Sequence, residues 1–361
     1  MSRVVLAMSG GVDSSVAAWL LRQQGHEVIG LFMRHGVPAE GCAAEPETRS
    51  GRRQGCCTAA DAADARRVAD RLGIPFYALN FEGEFGWIID YFVEEYSAGR
   101  TPNPCIVCNT WLKFGKLLEY ADGIAAPYVA TGHYARLEPT GDPGQPALCC
   151  GRDPSKDQSY VLFGIARRLL GRLMFPVGGY RKADIRRMAA ELGLRVADKP
   201  DSQEICFVPH RDHARLVRQR RGNRDTSGEI VTAEGVVVGR HEGLERFTVG
   251  QRKGLGVAFG QRRYVLRLEA DQRRVVIGTR DQLARSELTA GRANWLIGEP
   301  AGPMRCQVKI RYRSEAEWAT VLPLPGARFQ IRFDQPRHGV APGQAAVCYQ
   351  GDRLLGGGWI E

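Results

Sequence analysis

Apolar residues in the first third of the chain alternate between two periods. Arg3 to Met8 (RVVLAM) is a short continuous apolar run of the buried-strand kind. Val16 to Gln24 follows with apolar positions at helical spacing, and Gly25 stands where a helix C-terminal glycine belongs. Glu27 to Met33 reads as a second strand. From Asp61 to Leu72, Ala62, Ala65, Ala69 and Leu72 share one helical face, with Asp61 as the expected cap. Gly73 and Pro75 stop that helix before a strand at Phe76 to Leu79, Trp87 to Tyr96 reads as helix, and Tyr128 to Thr131 as strand. Strands alternating with helices predict a parallel sheet with right-handed crossovers. Arg34 to Gly55 breaks the pattern and is expected as a long surface loop; Gly141 to Pro146 is a second, turn-rich one.

Beyond Gly222 the helical period fades. Short runs at Glu229 to Val231, Gly235 to Val238, Tyr264 to Leu268, Val275 to Gly278, Cys306 to Tyr312, Arg328 to Phe333 and Ala345 to Tyr349 are separated by turns rich in Gly, Pro and Asp. That texture predicts small antiparallel barrels or sandwiches, two of them joined near residues 280 to 290. The expected fold class is α/β: an N-terminal parallel-sheet nucleotide-binding domain at 1–210, then two small β-rich, barrel-like domains at 211–280 and 281–361.

Charge adds a partner class. Lys and Arg number 50 against 40 Asp and Glu, a formal net charge of +10, which favours a polyanionic partner through counterion release. The excess is clustered: His210 to Arg224 carries six arginines against Asp212 alone, Arg167, Arg168 and Arg172 form a second group, and Arg181, Lys182, Arg186 and Arg187 a third. The run after His210 either grips that partner or solvates a helix. No stretch approaches the ~20 apolar residues that span a bilayer, and the N-terminus is not patterned as a signal peptide. With ten cysteines in 361 residues, no disulfide scaffold is expected, and the expected compartment is a reducing cytoplasm.

Candidate chemistry begins at Ser9 to Ser15 (SGGVDSS), placed directly between a strand and a helix. Two glycines let the backbone approach an anion, hydroxyls and helix N-terminal amides donate to it, and Asp13 offers a carboxylate for magnesium. The G-x-x-x-x-G-K-[ST] pattern of ordinary NTPases is absent. A second cluster lies at Thr101 to Asn109 (TPNPCIVCN), a C-x-x-C pair, Cys105 and Cys108, behind two prolines; Cys206 stands alone in DSQEICFVP. The flanks read as loop rather than as the helix start of a redox pair, and no second C-x-x-C completes a zinc site. A Cys206 persulfide assisted by Cys108, or a [4Fe–4S] cluster held by Cys105, Cys108 and Cys206, both fit. Cys56 and Cys57 read as packing residues beside a helix cap, and Cys306 and Cys348 as core thiols.

SGGVDSS resembles the pyrophosphate-binding loop of the PP-loop ATP pyrophosphatases. The ordered set GGVDSS, GCC, TPNPCIVCN with KFG, ATGHYAR, KDQSYVLF, SQEICF, VGQRKGLG and APGQAAV, from Ala7 nearly to the C-terminus, is similar to the tRNA-specific 2-thiouridylases. The resemblance implies ATP and Mg2+ as cofactors, with ATP held by Ala7, Met8, Ser9, Gly10, Gly11, Val12, Asp13, Ser14, Met33 and Gly132. It implies Cys108 as nucleophile, Cys206 as persulfide carrier, a transient disulfide between them, and Asn103, Pro104 and Cys105 facing the target base. It further implies tRNA contacts at His133, Lys156, Asp157, Gln158, Arg311, Tyr312 and Gln344. Its expected partners are tRNAs for Lys, Glu and Gln and a sulfur-relay protein or cysteine desulfurase. Many family members carry Asp at the position of Cys105, and a third thiol there keeps the cluster mechanism level with the persulfide one. The alternatives are another PP-loop synthetase, which leaves the cysteines without a task, and an RNA-binding protein with a structural metal.

Overall fold

The computed structural model describes residues 1–36, 59–142, 144–201, 205–208, 212–222 and 224–361. The expected loop Arg34 to Gly55, with Cys42, lies outside them from residue 37 on, as do Cys56 and Cys57. The chain divides into two compact units, Met1–Ile88 with Val107–Arg211, and Ile89–Ile106 with Asp212–Glu361.

The elements up to the end of the first unit are β1 (Arg3–Ala7), α1 (Val12–Gln23), β2 (Glu27–Arg34), α2 (Ala59–Leu72), β3 (Phe76–Asn80), α3 (Glu82–Ser97), α4 (Pro104–Val107), a π-helical stretch Cys108–Lys116, α5 (Leu117–Gly123), β4 (Tyr128–Thr131), the hairpin β5 (Ala135–Glu138) and β6 (Ala147–Cys150), β7 (Leu173–Met174) and α6 (Lys182–Glu191). The sheet runs β3-β2-β1-β4-β7, parallel throughout. Strand order reverses between β1 and β4, the crevice where open α/β sheets take ligands at their carboxyl ends. Val4, Leu6, Val16, Leu21, Val68, Ala69 and Ile185 form the core between sheet and helices.

Asp61 is no cap. α2 begins at Ala59, and Asp61 lies buried in its first turn with its carboxylate engaged by Lys199. The C-x-x-C pair is preceded by loop through Asn103, as expected, but the pair itself and the residues after it are helical. Pro104 opens α4 at the position where a missing N–H costs nothing, Asn103 accepts from Ile106 N, and helical backbone continues through Gly123. α4 follows another helix, α3, so the strand-before-helix setting of a redox pair is absent.

The second unit holds α7 (His213–Arg221), β8 (Gly228–Thr232), β9 (Val237–His241), β10 (Tyr264–Glu269), β11 (Arg274–Gly278), α8 (Arg280–Leu283), β12 (Ala284–Trp295), β13 (Met304–Lys309), β14 (Glu317–Leu324), β15 (Arg328–His338), β16 (Ala345–Gln350) and β17 (Arg353–Ile360). β10-β11-β8-β9 form a four-stranded sheet over Ile230, Leu244, Phe247, Val265 and Ile277. β12-β15-β14-β13-β16-β17 closes by pairing β17 with β12, a six-stranded antiparallel barrel filled by Cys306, Val308, Val321, Phe329, Ile331 and Cys348. Closure leaves no free strand edge in the barrel. The β-rich expectation is met.

Candidate active site

The loop after β1 has the geometry that an anion cradle needs. Gly10 takes φ +71, and a Cβ there would run into the Asp61 carbonyl, so only glycine fits. Ser14 Oγ donates to Gly11 O (3.2 Å) and accepts from Ser9 N (3.2 Å), while Ser15 Oγ donates to Gly11 O (2.8 Å). Gly11 is the N-cap of α1 and no side chain caps the helix, which leaves its first amides for an anion. Gly132, just past β4, lies against this loop: its Cβ would meet Ser14 N at 2.8 Å. Ala7 and Met8 are buried at the end of β1, and Met33 lies half-buried near the end of the adjoining β2. The expected nucleotide residues therefore gather at the β1–β4 crevice.

Two lysines complete the cradle. Lys182, the first residue of α6, places Nζ 2.7 and 2.8 Å from the two Asp13 oxygens, and Tyr134 donates its hydroxyl to Asp13 Oδ1 at 2.6 Å. Burial and then the Asp13 charge push the Tyr134 phenol far above its ordinary range, so it stays a donor. Lys182 also meets Asp201 (2.8 Å), which Lys156 (2.8 Å) and Arg186 (3.1 Å) share. Burial alone would raise the Asp201 pKa, but the bonds from Lys156 and Lys182 hold it below the usual carboxylate range. Lys199 Nζ donates to Gly10 O (2.9 Å), Asp61 (2.7 Å) and Asp64 (2.8 Å). Sequence reading misses both roles. Lys182 sits in a run that reads as a basic cluster for a polyanion, although the spacing Lys199-x-Asp201 ahead of Cys206 is a readable signal.

Cys108 opens the nine-residue π-helical stretch, a distortion frequent at functional sites, and is partly exposed, as is Cys206. Next to it, buried Asn109 donates to Val161 O (3.2 Å). Cys105 is exposed, whereas Cys149, Cys306 and Cys348 are buried. Among the described residues no three His, Cys, Asp or Glu side chains converge as metal ligands do.

The residues expected at tRNA are mostly engaged within their own unit. His133 is buried, shares a 2.7 Å hydrogen bond with Thr131 Oγ1 and packs against Phe114 and Phe175. Burial, then the Lys113 charge, hold its imidazole neutral well below the ordinary histidine range. Asp157 accepts from Gly151 N (3.0 Å), Ser159 N (3.1 Å) and Ser159 Oγ (2.9 Å), and Gln158 Oε1 accepts from Tyr134 N (2.9 Å). In the second unit, Gln344 Nε2 donates to Thr101 O (2.9 Å) and Pro102 O (3.2 Å), steadying the backbone that leads into Asn103, Pro104 and Cys105. Arg311 donates to Val249 O (2.9 Å), and Tyr312 is exposed.

Three family models match the chain: a tRNA methyl transferase HUP domain at residues 2–210, a tRNA methyl transferase PRC-barrel domain at 216–279 and an aminomethyltransferase β-barrel domain at 285–360. A tRNA-specific 2-thiouridylase of Rhodopirellula baltica is 52% identical over 100% of this chain and 96% of its own length. The namesake from Geotalea uraniireducens is 49% identical over 99% and 95% of the respective chains. Among solved structures, a 4-thiouridine synthetase in complex with RNA and ATP has a TM-score of 0.35 at 15% identity, over 58% of this chain and 46% of that one. Likeness at this level along the whole length places the chain in the tRNA-specific 2-thiouridylase family.

Proposed function

We propose that the chain is an ATP-dependent tRNA sulfurtransferase that converts a wobble uridine, in tRNAs of the Lys, Glu and Gln class, to 2-thiouridine. The nucleotide lies at Ala7 to Ser14 with Met33 and Gly132. Lys182 and the α1 amides face its phosphates. Magnesium, when bound, neutralises phosphate charge, and Asp13 is the loop carboxylate that would hold it. The base oxygen at carbon 2 attacks the α-phosphorus of ATP and pyrophosphate leaves; the oxygen thereby becomes part of a good leaving group. The terminal sulfur of a Cys206 persulfide then attacks carbon 2 and AMP departs with that oxygen. The Cys108 thiolate attacks the Cys206 Sγ, the S–S bond breaks, and its electrons pass to the sulfur now on the base. A Cys108–Cys206 disulfide remains, to be reduced by an external thiol, and a sulfur-relay protein or cysteine desulfurase reloads Cys206.

The observation that carries this reading is the pairing, in one full-length relative of thiouridylases, of an uncapped phosphate loop with two partly exposed thiols, Cys108 and Cys206. A methyl transferase using a sulfonium donor has no phosphates to cradle, despite the description of the family model. Asn103, Pro104 and Cys105, preceded by backbone that Gln344 holds, are the segment for the flipped-out base. Tyr312 is exposed for RNA contact.

The test incubates the full chain with tRNA transcript, magnesium-ATP and a persulfide donor and digests the RNA for nucleoside mass spectrometry. ATP-dependent 2-thiouridine, lost in Cys108→Ala and Cys206→Ala, is the expected result. ATP cleavage with an unmodified base and an amidated product instead would assign the chain to another PP-loop synthetase.

A further inference from the structure

The motif VGQRKGLG opens a segment that the reaction above does not use. From Phe247 to Leu268 the sequence holds no Asp or Glu, yet it carries Arg252, Lys253, Arg262, Arg263 and Arg267. Residues 251–263 form no helix or strand, and Gly250, Gly254 and Gly256 all take positive φ. The base of this loop is pinned nonetheless. Gly250 N donates to Val265 O (2.8 Å), Val265 N to Gln251 O (3.0 Å) and Arg311 Nη2 to Val249 O (2.9 Å). The Gln251 side chain accepts from Thr248 N (3.0 Å) and donates to Lys253 O (3.0 Å). The result is a fixed stem with a glycine-rich, basic tip.

At that tip Arg252, Lys253 and Arg262 are exposed. Arg263 is half-buried over the Phe259 ring (5.1 Å), and its Nε is enclosed without a hydrogen-bond partner among the described residues. Arg267 differs, being paired with Glu269 at 2.8 Å. The run after His210 differs more. In α7, Arg220 pairs with Asp90 (2.8 Å), and Arg221 (3.3 Å) and Arg218 (3.9 Å) both face the buried Glu245. Arg221 is nearly buried on Glu245, and Arg218 and Arg220, although more open to solvent, already face a carboxylate of their own unit.

We propose that the loop Gly250–Arg263 grips the sugar–phosphate backbone of the RNA substrate, with Arg252, Lys253, Arg262 and Arg263 as the phosphate contacts. A stem held by Gln251 and Arg311 presents four cations at low ordering cost, and the glycines let phosphate oxygens approach the backbone amides. Such contacts orient the RNA and carry no sequence information. The assignment rests on the tRNA reading above.

The experiment measures affinity of the full chain for a fluorescently labelled tRNA transcript by anisotropy across a potassium chloride series. Removing one phosphate-neutralising cation lowers the slope of log affinity against log salt by roughly 0.7–0.9. R252Q/K253Q and R262Q/R263Q are each expected to lower it by about 1.5, and the fourfold variant by about 3 with Kd at least tenfold higher. The charge-matched pair R280Q/R285Q should keep the parent slope. Thermal melting accompanies each variant, and the two pair variants decide the matter if the fourfold one melts early. A parent slope retained in folded pair variants overturns the loop assignment alone. A parent chain that binds no tRNA overturns the functional reading with it.

Discussion

Gly10 has both a backbone and a neighbour that forbid a side chain, since φ is +71 and the Asp61 carbonyl occupies the space a Cβ would need. Gly10→Ala should therefore lose ATP binding and destabilise the fold by roughly 1–3 kcal/mol from strain alone, read from urea unfolding. His133 supplies a pH prediction. Its folded pKa is depressed by burial, while the unfolded imidazole titrates near 6.5. Above pH 6.5 both states are neutral and the group's stability contribution is complete; as pH falls below it, the unfolded chain takes the proton first and stability drops. The slope approaches about 1.4 kcal/mol per pH unit for this one group. His133→Asn should flatten the fall in urea midpoint between pH 7 and 5.5, whatever its effect at neutral pH; an unchanged slope would show that His133 is not kept neutral.

At the scale of elements, α6 is positioned so that its first residue reaches the loop after β1. Lys182→Met should weaken ATP binding roughly 10- to 100-fold, the worth of a charge-assisted contact, with Lys182→Arg recovering part of it by calorimetry. Wild-type affinity in the Met variant would remove Lys182 from the nucleotide site. In the second unit α7 is held through Glu245, whose carboxylate is buried and bonded to Arg221 and Thr226 (2.7 Å). Glu245→Ala strands a nearly buried guanidinium and should cost about 3–5 kcal/mol in urea unfolding. Periodicity reveals β1, α1 and β4 because each is a short, cleanly apolar or amphipathic run. It misses β12, a polar strand interrupted by Gly291, and β17, whose GGG core carries no strand propensity and is shaped by barrel closure. Only tertiary pairing makes those segments strands.

Over the full chain, motifs make the candidate reactive groups legible and leave the side chains that contact them hidden. SGGVDSS and the two cysteine segments stand out because loop chemistry is local in sequence. Lys182 and Lys199 come from segments about 170 and 190 residues from the carboxylate and carbonyl they meet, and single lysines carry no pattern. Likewise charge counting points to α7 as the richest basic run, yet folding sets three of its arginines against carboxylates and leaves Arg252, Lys253 and Arg262 of the poorer loop exposed. No described helix is long and apolar enough to cross a membrane. The proposed chemistry stands or falls on the base oxygen being activated by ATP before sulfur replaces it. The decisive measurement uses tRNA carrying heavy oxygen at carbon 2 of the target uridine, with mass spectrometry of the released nucleotides. The expected result is the heavy atom in AMP, in equal yield with 2-thiouridine, and unlabelled pyrophosphate. Heavy oxygen appearing in water or in inorganic phosphate, with AMP unlabelled, would contradict it.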